Sequence, residues 1–170
     1  MVEGRKWISI LLVVLLCGIR IAQAVDFYQD DTISQGTYVD VHVYDIAILT
    51  VTGGNIEALK TFNASTANIY EGDIYSIQLL DSSIVNLYGG QIDRITYFDT
   101  STLNVYGYDF SYMPVASSGW LYGKWANNQS FAIYLRDCSY PSDQIELHEI
   151  PEPVTVIFLL IGILNVRKRR

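Results

Sequence analysis

The stretch that decides the fold is GNIEALKTFNASTANIYE (residues 54–71), which is followed without a gap by GDIYSIQLLDSSIVNLYG (72–89) and GQIDRITYFDTSTLNVYG (90–107). Each segment opens with glycine, has isoleucine at its third position and keeps bulky residues at matching places. A period of 18 residues is therefore repeated without insertion or deletion. A fixed short period is the sequence signature of a repeat protein, in which each repeat packs only on its neighbours.

The same period extends beyond the quoted stretch in both directions. Glycine, bulky apolar side chains, an Asp or Asn and a serine recur at fixed positions, and two apolar residues one position apart follow them. The aligned sets are Gly36, Gly54, Gly72 and Gly90; Tyr38, Ile56, Ile74, Ile92 and Phe110; Val41, Leu59, Ile77, Ile95 and Met113; Tyr44, Phe62, Leu80 and Phe98; Asp45, Asn63, Asp81 and Asp99; Ser65, Ser83 and Ser101; and the pairs Leu49/Val51, Ala67/Ile69, Val85/Leu87 and Leu103/Val105. Because the sets begin at Gly36 and end at Met113, the predicted regular coils extend over 36–113.

The repeats have the composition of β-strands. Two apolar residues flank a polar one in each, as in Leu49-Thr50-Val51, which is the alternation of a strand with one buried face. The glycine position suits a turn with positive φ, and the Asp or Asn position suits a second corner, where a short side chain can bond to its own backbone. The sequence therefore predicts an all-β, single-stranded parallel β-helix (β-solenoid) with 18-residue coils.

The handedness of the coils has two alternatives. Left-handed hexapeptide helices also have 18-residue coils, but their apolar position recurs every six residues. That position is lost in this chain at Asn68, Asn86 and Asn104. We therefore favour a right-handed β-solenoid.

One outward-facing strip of the coils combines amides with aromatic rings. It consists of Asn68, Tyr70, Asn86, Tyr88, Asn104 and Tyr106. Inward apolar residues alternate with both columns, so both are expected on the outer surface. A flat strip of this kind could stack on sugar rings and hydrogen-bond to them, which makes it our candidate ligand face for exopolysaccharide. The alternative is structural, because tyrosines on a strand surface also pack against one another.

Both ends of the coiled region need covering segments, because an open terminal coil exposes unpaired backbone groups. Residues 25–36 are polar and rich in aspartate, which predicts a first, imperfect coil or a cap. After the last coil, two strand-like runs at 120–125 and 130–135 flank an Asn-rich turn, the pattern of a β-hairpin. Together with the run 144–148, this hairpin is the predicted C-terminal cap.

The end of the chain combines a proline-rich joint, an apolar segment and a cationic terminus. Prolines on both sides of a glutamate make the joint stiff and extended. The apolar segment 154–166 carries no charge, and its 13 residues are short for a bilayer core of roughly 30 Å, which takes about 20 helical residues. We expect a short hydrophobic helix there, with its basic end held in the cytoplasm. The residues concerned are Pro151, Glu152, Pro153, Gly162, Arg167, Lys168, Arg169 and Arg170.

This order of features resembles the PEP-CTERM sorting signal of proteins exported by Gram-negative bacteria that make exopolysaccharide. The resemblance covers residues 150–170, and Asn165 departs from it by making membrane insertion less favourable. It implies that a membrane-embedded exosortase recognises and cleaves the chain, which then reaches the cell surface or the extracellular matrix. The alternative is a permanent membrane anchor on a periplasmic protein.

The start of the chain has the parts of a secretory signal peptide. Arg5 and Lys6 precede the apolar run 8–16, and a small-residue cleavage site follows. The cleavage-site residues are Ala22, Ala24 and Val25, with cleavage expected before Val25. The sequence therefore predicts a signal peptide over 1–24 and passage through the inner membrane and the periplasm.

The exported part, residues 25–150, is strongly acidic. It has 16 acidic and 4 basic side chains, a formal charge of −12. Such a surface repels the phosphates of nucleic acids and anionic lipids, so we expect no nucleic-acid partner. This part has one cysteine, Cys138, which excludes an internal disulfide.

No set of residues in the sequence indicates catalysis. The stacked Asp and Asn positions are explained by turns, and the two histidines, His42 and His148, lie far apart. No histidine, cysteine and carboxylate spacing indicates a metal site. We therefore expect no enzyme activity, cofactor or metal. The alternative is a carbohydrate-active β-helix enzyme, a lyase or hydrolase, which would need carboxylates gathered in a groove.

The sequence divides the chain into four parts: the signal peptide 1–24, the β-solenoid 25–113, the capping hairpin and strand 114–150, and the sorting signal 151–170. The predicted protein is exported and has a structural or adhesive role at the cell surface or in the matrix. Its expected partners are the exosortase, the membrane during transit and exopolysaccharide.

Overall fold

A computed structural model describes residues 23–137 and 142–152. Every helix or strand assigned in this part of the chain is a β-strand, which confirms the prediction of an all-β protein. The strands are β1 (Gln23–Phe27), β2 (Asp31–Ile33), β3 (Thr37–Val43), β4 (Ile48–Thr61), β5 (Thr66–Leu79), β6 (Ile84–Leu87), β7 (Gln91–Tyr97), β8 (Thr102–Val115), β9 (Ser118–Lys124), β10 (Ser130–Leu135) and β11 (Ile145–Glu149).

Successive coils pair in parallel with a register of 18 residues, which confirms the β-solenoid. Ile74, for example, lies between Ile56 and Ile92. Each coil contributes two runs of strand, so the coils form two stacks. Stack A comprises residues 31–33, 48–51, 66–69, 84–87 and 102–105, and stack B comprises 37–43, 55–61, 73–79 and 91–97.

The two stacks bury their inward side chains in one apolar core. Val51 and Ile69 of stack A and Ile74 and Ile77 of stack B are fully buried. Burial of one such side chain contributes about 1.5–3 kcal/mol. Since each is covered by its counterparts in the neighbouring coils, the core forms only when several coils stack.

Glycine makes one corner of the coil, as predicted. Gly54, Gly72 and Gly90 have φ angles of 89°, 112° and 91°. Side chains other than glycine rarely adopt such angles, because their Cβ crowds the backbone. The glycine column therefore sets where the chain passes from stack A to stack B.

The parallel register ends earlier than the aligned columns predict. Val105 still pairs with Leu87, but β8 then leaves the coil at Asp109, which has a φ of 55°, and pairs with β9 in antiparallel fashion. Met113 lies opposite Trp120 and not against Ile95. The placement of Met113 in that column is therefore wrong, because the irregularity at Asp109 redirects the strand.

The same departure carries Phe110 away from its predicted column. Its ring packs near the ring of Phe131 in β10, at a centroid distance of 6.2 Å. The apolar character of Phe110 follows the repeat in the sequence, but its backbone no longer follows the coil.

The C-terminal strands continue both stacks with chain that lies outside the repeat. β9 and β10 form an antiparallel hairpin, and β10 pairs in parallel with β7, with Leu135 opposite Ile95. β11 pairs in parallel with β8, with Leu147 opposite Val105. At the other end, β2 pairs with β4 and β1 pairs with β3.

The described residues contain no helix, and thus none that could span a bilayer. The hydrophobic helix that the sequence predicts at 154–166 lies outside the described residues, as does the signal peptide up to residue 22.

Candidate functional site: a ladder of amides, tyrosines and one histidine

The candidate ligand face lies on the outer side of stack A, where the 18-residue register brings its side chains into two continuous columns. The amide nitrogen of Asn86 donates to the Asn68 side-chain oxygen at 2.8 Å, and that of Asn104 donates to the Asn86 oxygen at 2.8 Å. Asn86, in the middle, is thus a donor to Asn68 and an acceptor from Asn104. The column forms a hydrogen-bonded ladder that crosses three coils.

The tyrosine column forms a second ladder beside the amides. The rings of Tyr70 and Tyr88 stack with centroids 4.7 Å apart, and those of Tyr88 and Tyr106 with centroids 4.4 Å apart. The ring planes differ by 8° and 16°. These separations are close to the strand spacing of about 4.8 Å, so the sheet itself holds the rings at stacking distance.

His148 of β11 completes both ladders, a role that the sequence does not predict. Its imidazole stacks on the Tyr106 ring at 4.4 Å, and its Nε2 lies 3.1 Å from the Asn104 side-chain oxygen. β11 pairs with β8 so that His148 lies opposite Tyr106. The alternation in 145–148 indicated a strand but not its partner. Since β11 lies 42 residues beyond β8 instead of 18, the period does not predict this pairing.

Burial changes the acidity of the central ring. Burial, followed by the neighbouring hydroxyl of Tyr106, raises the pKa of Tyr88 above its ordinary value of 10.0. The Tyr88 hydroxyl therefore keeps its proton, and remains a hydrogen-bond donor, to a higher pH than an ordinary tyrosine. Tyr70 is 46% exposed and is the most accessible of the three tyrosines.

This geometry determines how the face can contact a sugar. Both faces of the Tyr88 and Tyr106 rings are covered by their ladder neighbours, so a sugar ring cannot stack on them. The ladder presents ring edges, hydroxyls and amide edges to solvent instead. It can therefore make hydrogen bonds along its length, while stacking is restricted to the two ends of the column, at Tyr70 and His148.

The Asp and Asn corner links neighbouring coils instead of closing on its own backbone. Asp45, Asn63, Asp81 and Asp99 all have φ between 55° and 61°. The backbone N–H of Asn63 donates to the Asp81 carboxylate of the next coil at 2.8 Å. The prediction that this side chain bonds to its own backbone is therefore wrong, because it accepts a hydrogen bond from the neighbouring coil.

A second aromatic column stands at this corner, near the N-terminal end. Tyr28, Tyr44 and Phe62 stack with centroid distances of 4.9 Å and 4.8 Å. The alignment contained Tyr44 and Phe62 but missed Tyr28, which lies 16 residues before Tyr44 and thus off the period.

Charged residues cluster beside this column on stack B. Nδ1 of His42 lies 2.8 Å from the Asp26 carboxylate, and Nζ of Lys60 lies 2.8 Å from that of Asp40. The bond to Lys60 lowers the pKa of Asp40 below its ordinary value of 3.8, in opposition to burial. Within residues 23–137 and 142–152, no group of three or more His, Cys, Asp or Glu side chains is arranged to hold a metal ion.

No protein-family model, characterised protein or solved structure matches this chain. The function is therefore argued from its own residues.

Few of the predicted signal residues fall within the described chain. Pro151 and Glu152 are exposed and follow the end of β11 after one intervening residue, whereas Pro153, Gly162 and the four terminal cations lie outside. Of the cleavage-site residues, Ala22 lies outside, while Ala24 and Val25 belong to β1 and pair with Asp40 and Val41.

Proposed function

We propose that this chain is an exported structural protein of the cell surface or extracellular matrix, delivered by the PEP-CTERM-type signal at its C-terminus. The observation that supports a structural role is the pair of ladders on stack A. Amide hydrogen bonds and stacked rings run side by side through three coils to His148. Such continuous lateral contacts make a short, stiff rod.

The adhesive part of the proposal assigns the ladder to contacts with exopolysaccharide. Its hydroxyls and amide edges form a row with the spacing of the coils, and these groups can exchange hydrogen bonds with sugar hydroxyls. The acidic surface keeps the rod soluble outside the cell.

The finer features of the fold belong to the same proposal: right-handed coils, a terminal hydrophobic helix at 154–166 and a C-terminal cap. We base the cap on the pairing of β11 with β8 and of β10 with Arg94 and Ile95 of β7, which covers part of the last strand of each stack. The exposed Glu146 and Glu149 lie on β11, at the edge of the sheet, where they discourage pairing with another sheet.

Mass spectrometry of the protein exported by its host tests the sorting signal. We expect the exported chain to end at or before Pro153, with residues 154–170 removed. Export from a strain without its exosortase gives the control, in which these residues should remain. An exported chain that keeps 154–170 in both strains would contradict the proposal and indicate a permanent anchor.

Co-sedimentation with the host's own polysaccharide tests the adhesive role of the ladder. We expect the exported protein to be retained without release of oligosaccharide, whereas released oligosaccharide would indicate a carbohydrate-active enzyme. Replacing Tyr70, Tyr88 and Tyr106 together by phenylalanine keeps the stacked rings but removes the hydroxyls. Retention should then fall several-fold with unchanged thermal stability, and unchanged retention would exclude the ladder as the ligand face.

A further inference from the structure

A second surface, on the outer side of stack B, has the chemistry of a binding site. It is a groove of about 470 Å³ where β7, β9 and β10 meet. The groove is lined by Asp93, Arg94, Trp120, Ala132, Tyr134 and Arg136.

The groove exists because one small residue stands among large ones. Trp120 lies opposite Tyr134 in the β9–β10 pairing, and their rings are 5.2 Å apart at an angle of 48°. Ala132, two residues before Tyr134 on the same face of β10, lies opposite Tyr122 and leaves a gap there. Trp120 is also stacked on Tyr122, at the longer centroid distance of 6.4 Å, so its ring is covered less closely than the ladder tyrosines, whose centroids are 4.4–4.7 Å apart.

The groove brings together two of the few cationic side chains of an acidic protein. Arg94 and Arg136 are two of the 4 basic side chains in residues 25–150, which also carry 16 acidic ones. The Arg94 guanidinium lies over the Tyr75 ring, 4.1 Å from its centroid, and donates a hydrogen bond to the Tyr75 hydroxyl. Arg94 is thereby held at the edge of the groove, and its fork geometry suits a carboxylate.

The remaining charges around the groove shape the ligand that it can take. Arg136 is 57% exposed, and its Nε lies 3.4 Å from the Asp137 carboxylate. Asp93 is exposed on the groove wall and can accept hydrogen bonds from hydroxyl groups. A ligand that fits therefore combines one negative charge, a flat apolar face and several hydroxyls.

We propose that this groove binds an acidic saccharide, with a uronic-acid residue at its centre. The sugar ring packs on Trp120, its carboxylate pairs with Arg94 and Arg136, and Asp93 accepts from a ring hydroxyl. The inference rests on the adhesive role proposed above and names the ligand class, and it places the charge-specific contact in the groove instead of on the ladder.

Calorimetric titration of the exported protein with two matched probes tests this assignment. The probes are a galacturonic-acid trisaccharide and the same trisaccharide as its methyl ester, which keeps the rings but removes the charges. Since hydrogen bonds to charged groups are the stronger ones, the acid should bind about tenfold to a hundredfold more tightly than the ester.

Variants locate this preference in the groove. The double variant Arg94→Gln/Arg136→Gln should bind acid and ester equally, and Arg136→Gln alone, at an exposed position, should lose part of the preference without unfolding. Lys124→Gln removes a cation that pairs with Asp109 outside the groove and should keep the full preference. Thermal melting of each variant controls for folding.

The outcomes separate this inference from the proposed function. The groove is not the acidic-saccharide site if the unaltered protein binds acid and ester equally. The same holds if the preference for the acid survives the double variant. Either result is compatible with retention on the host polysaccharide. If the unaltered protein self-associates with increasing concentration and the double variant does not, the groove binds a second copy of this chain. That result would contradict saccharide binding in the groove. Failure to bind either probe together with no retention on the host polysaccharide would overturn both proposals.

Discussion

The coils (residues 36–107) and the closing region (108–149) reach similar burial by different means. In the coils, Ile74 is covered by Ile56 and Ile92, which occupy its own position in the repeat. In the closing region, each contact occurs once, as where the buried Trp125 donates its indole N–H to the Gly90 carbonyl at 3.0 Å. Periodic packing therefore depends on register, whereas the closing contacts depend on individual side chains.

The largest expected difference between the two regions concerns glycines that have no room for a Cβ. A Cβ at Gly89 would collide with the backbone carbonyl oxygen of Tyr70 in the coil below, whereas one at Gly119 in the closing region would meet the end of the Tyr112 side chain. A backbone atom fixed by the stack cannot give way, but a side chain can.

We therefore expect Gly89→Ala to lower the free energy of unfolding by about 3 kcal/mol and Gly119→Ala by about 1 kcal/mol. Urea denaturation of both variants against the unaltered protein measures the difference. Equal losses would mean that the coils adapt as readily as the closing region, and the comparison would fail.

A smaller effect is expected in the amide ladder. Asn86 is bonded to Asn68 and to Asn104, so Asn86→Ala removes two hydrogen bonds and should lower the free energy of unfolding by about 1–2 kcal/mol. In the hairpin turn, Asn127 accepts one bond, from the backbone of Gln129, and Asn127→Ala should cost about 0.5 kcal/mol. Chemical denaturation of the two variants ranks them, and a larger loss for Asn127→Ala would contradict a stabilising ladder.

The smallest expected effects concern how one ion pair in each region contributes to the free energy of unfolding as pH changes. Lys60 lowers the pKa of Asp40 in the coils, so that pair stabilises the fold above the ordinary pKa of 3.8 and ceases to do so as pH falls through the lowered value. Asp109 raises the pKa of Lys124 in the closing region, so that pair stabilises below 10.5 and is lost as pH rises through the raised value. These two shifts therefore give the acid limit of the Asp40 pair and the alkaline limit of the Lys124 pair.

Unfolding measured against pH checks these signs. Lys60→Met should lower the free energy of unfolding at neutral pH by less than about 1 kcal/mol, because the pair is partly exposed, and the difference should vanish in acid. The loss caused by Lys124→Met should vanish in alkali, as pH rises through the raised pKa of Lys124. A loss for Lys60→Met that persists in acid would show that Asp40 is not the group it stabilises.

The same contrast explains how far the sequence predicts the molecule. Stacking of Ile56, Ile74 and Ile92, the glycine corner and the two outer columns all follow from one period, and the structure has them. The path of the backbone after Asp109 cannot be predicted from this period, because the apolar pattern continues to Met113 while the backbone leaves the coil.

Contacts between distant segments could not be predicted from the sequence either. His148 joins the ladder only because β11 pairs with β8, and the groove forms only because β10 places Tyr134 against Arg94 of β7. Neither pairing follows the 18-residue period from which the others can be predicted. The repeat thus predicts the coils and their candidate face but neither its terminal histidine nor the arginine groove.

Deletion of one whole coil tests the central claim most directly. Removing residues 72–89 joins Glu71 to Gly90 and keeps the period of 18, whereas removing 72–90 shifts every later strand by one residue and turns its buried face outwards. The account predicts that the first variant unfolds cooperatively in urea with a smaller slope, since less surface is exposed, and that the second does not fold. Two deletions that both fold, or both fail, would contradict a solenoid held together by its register.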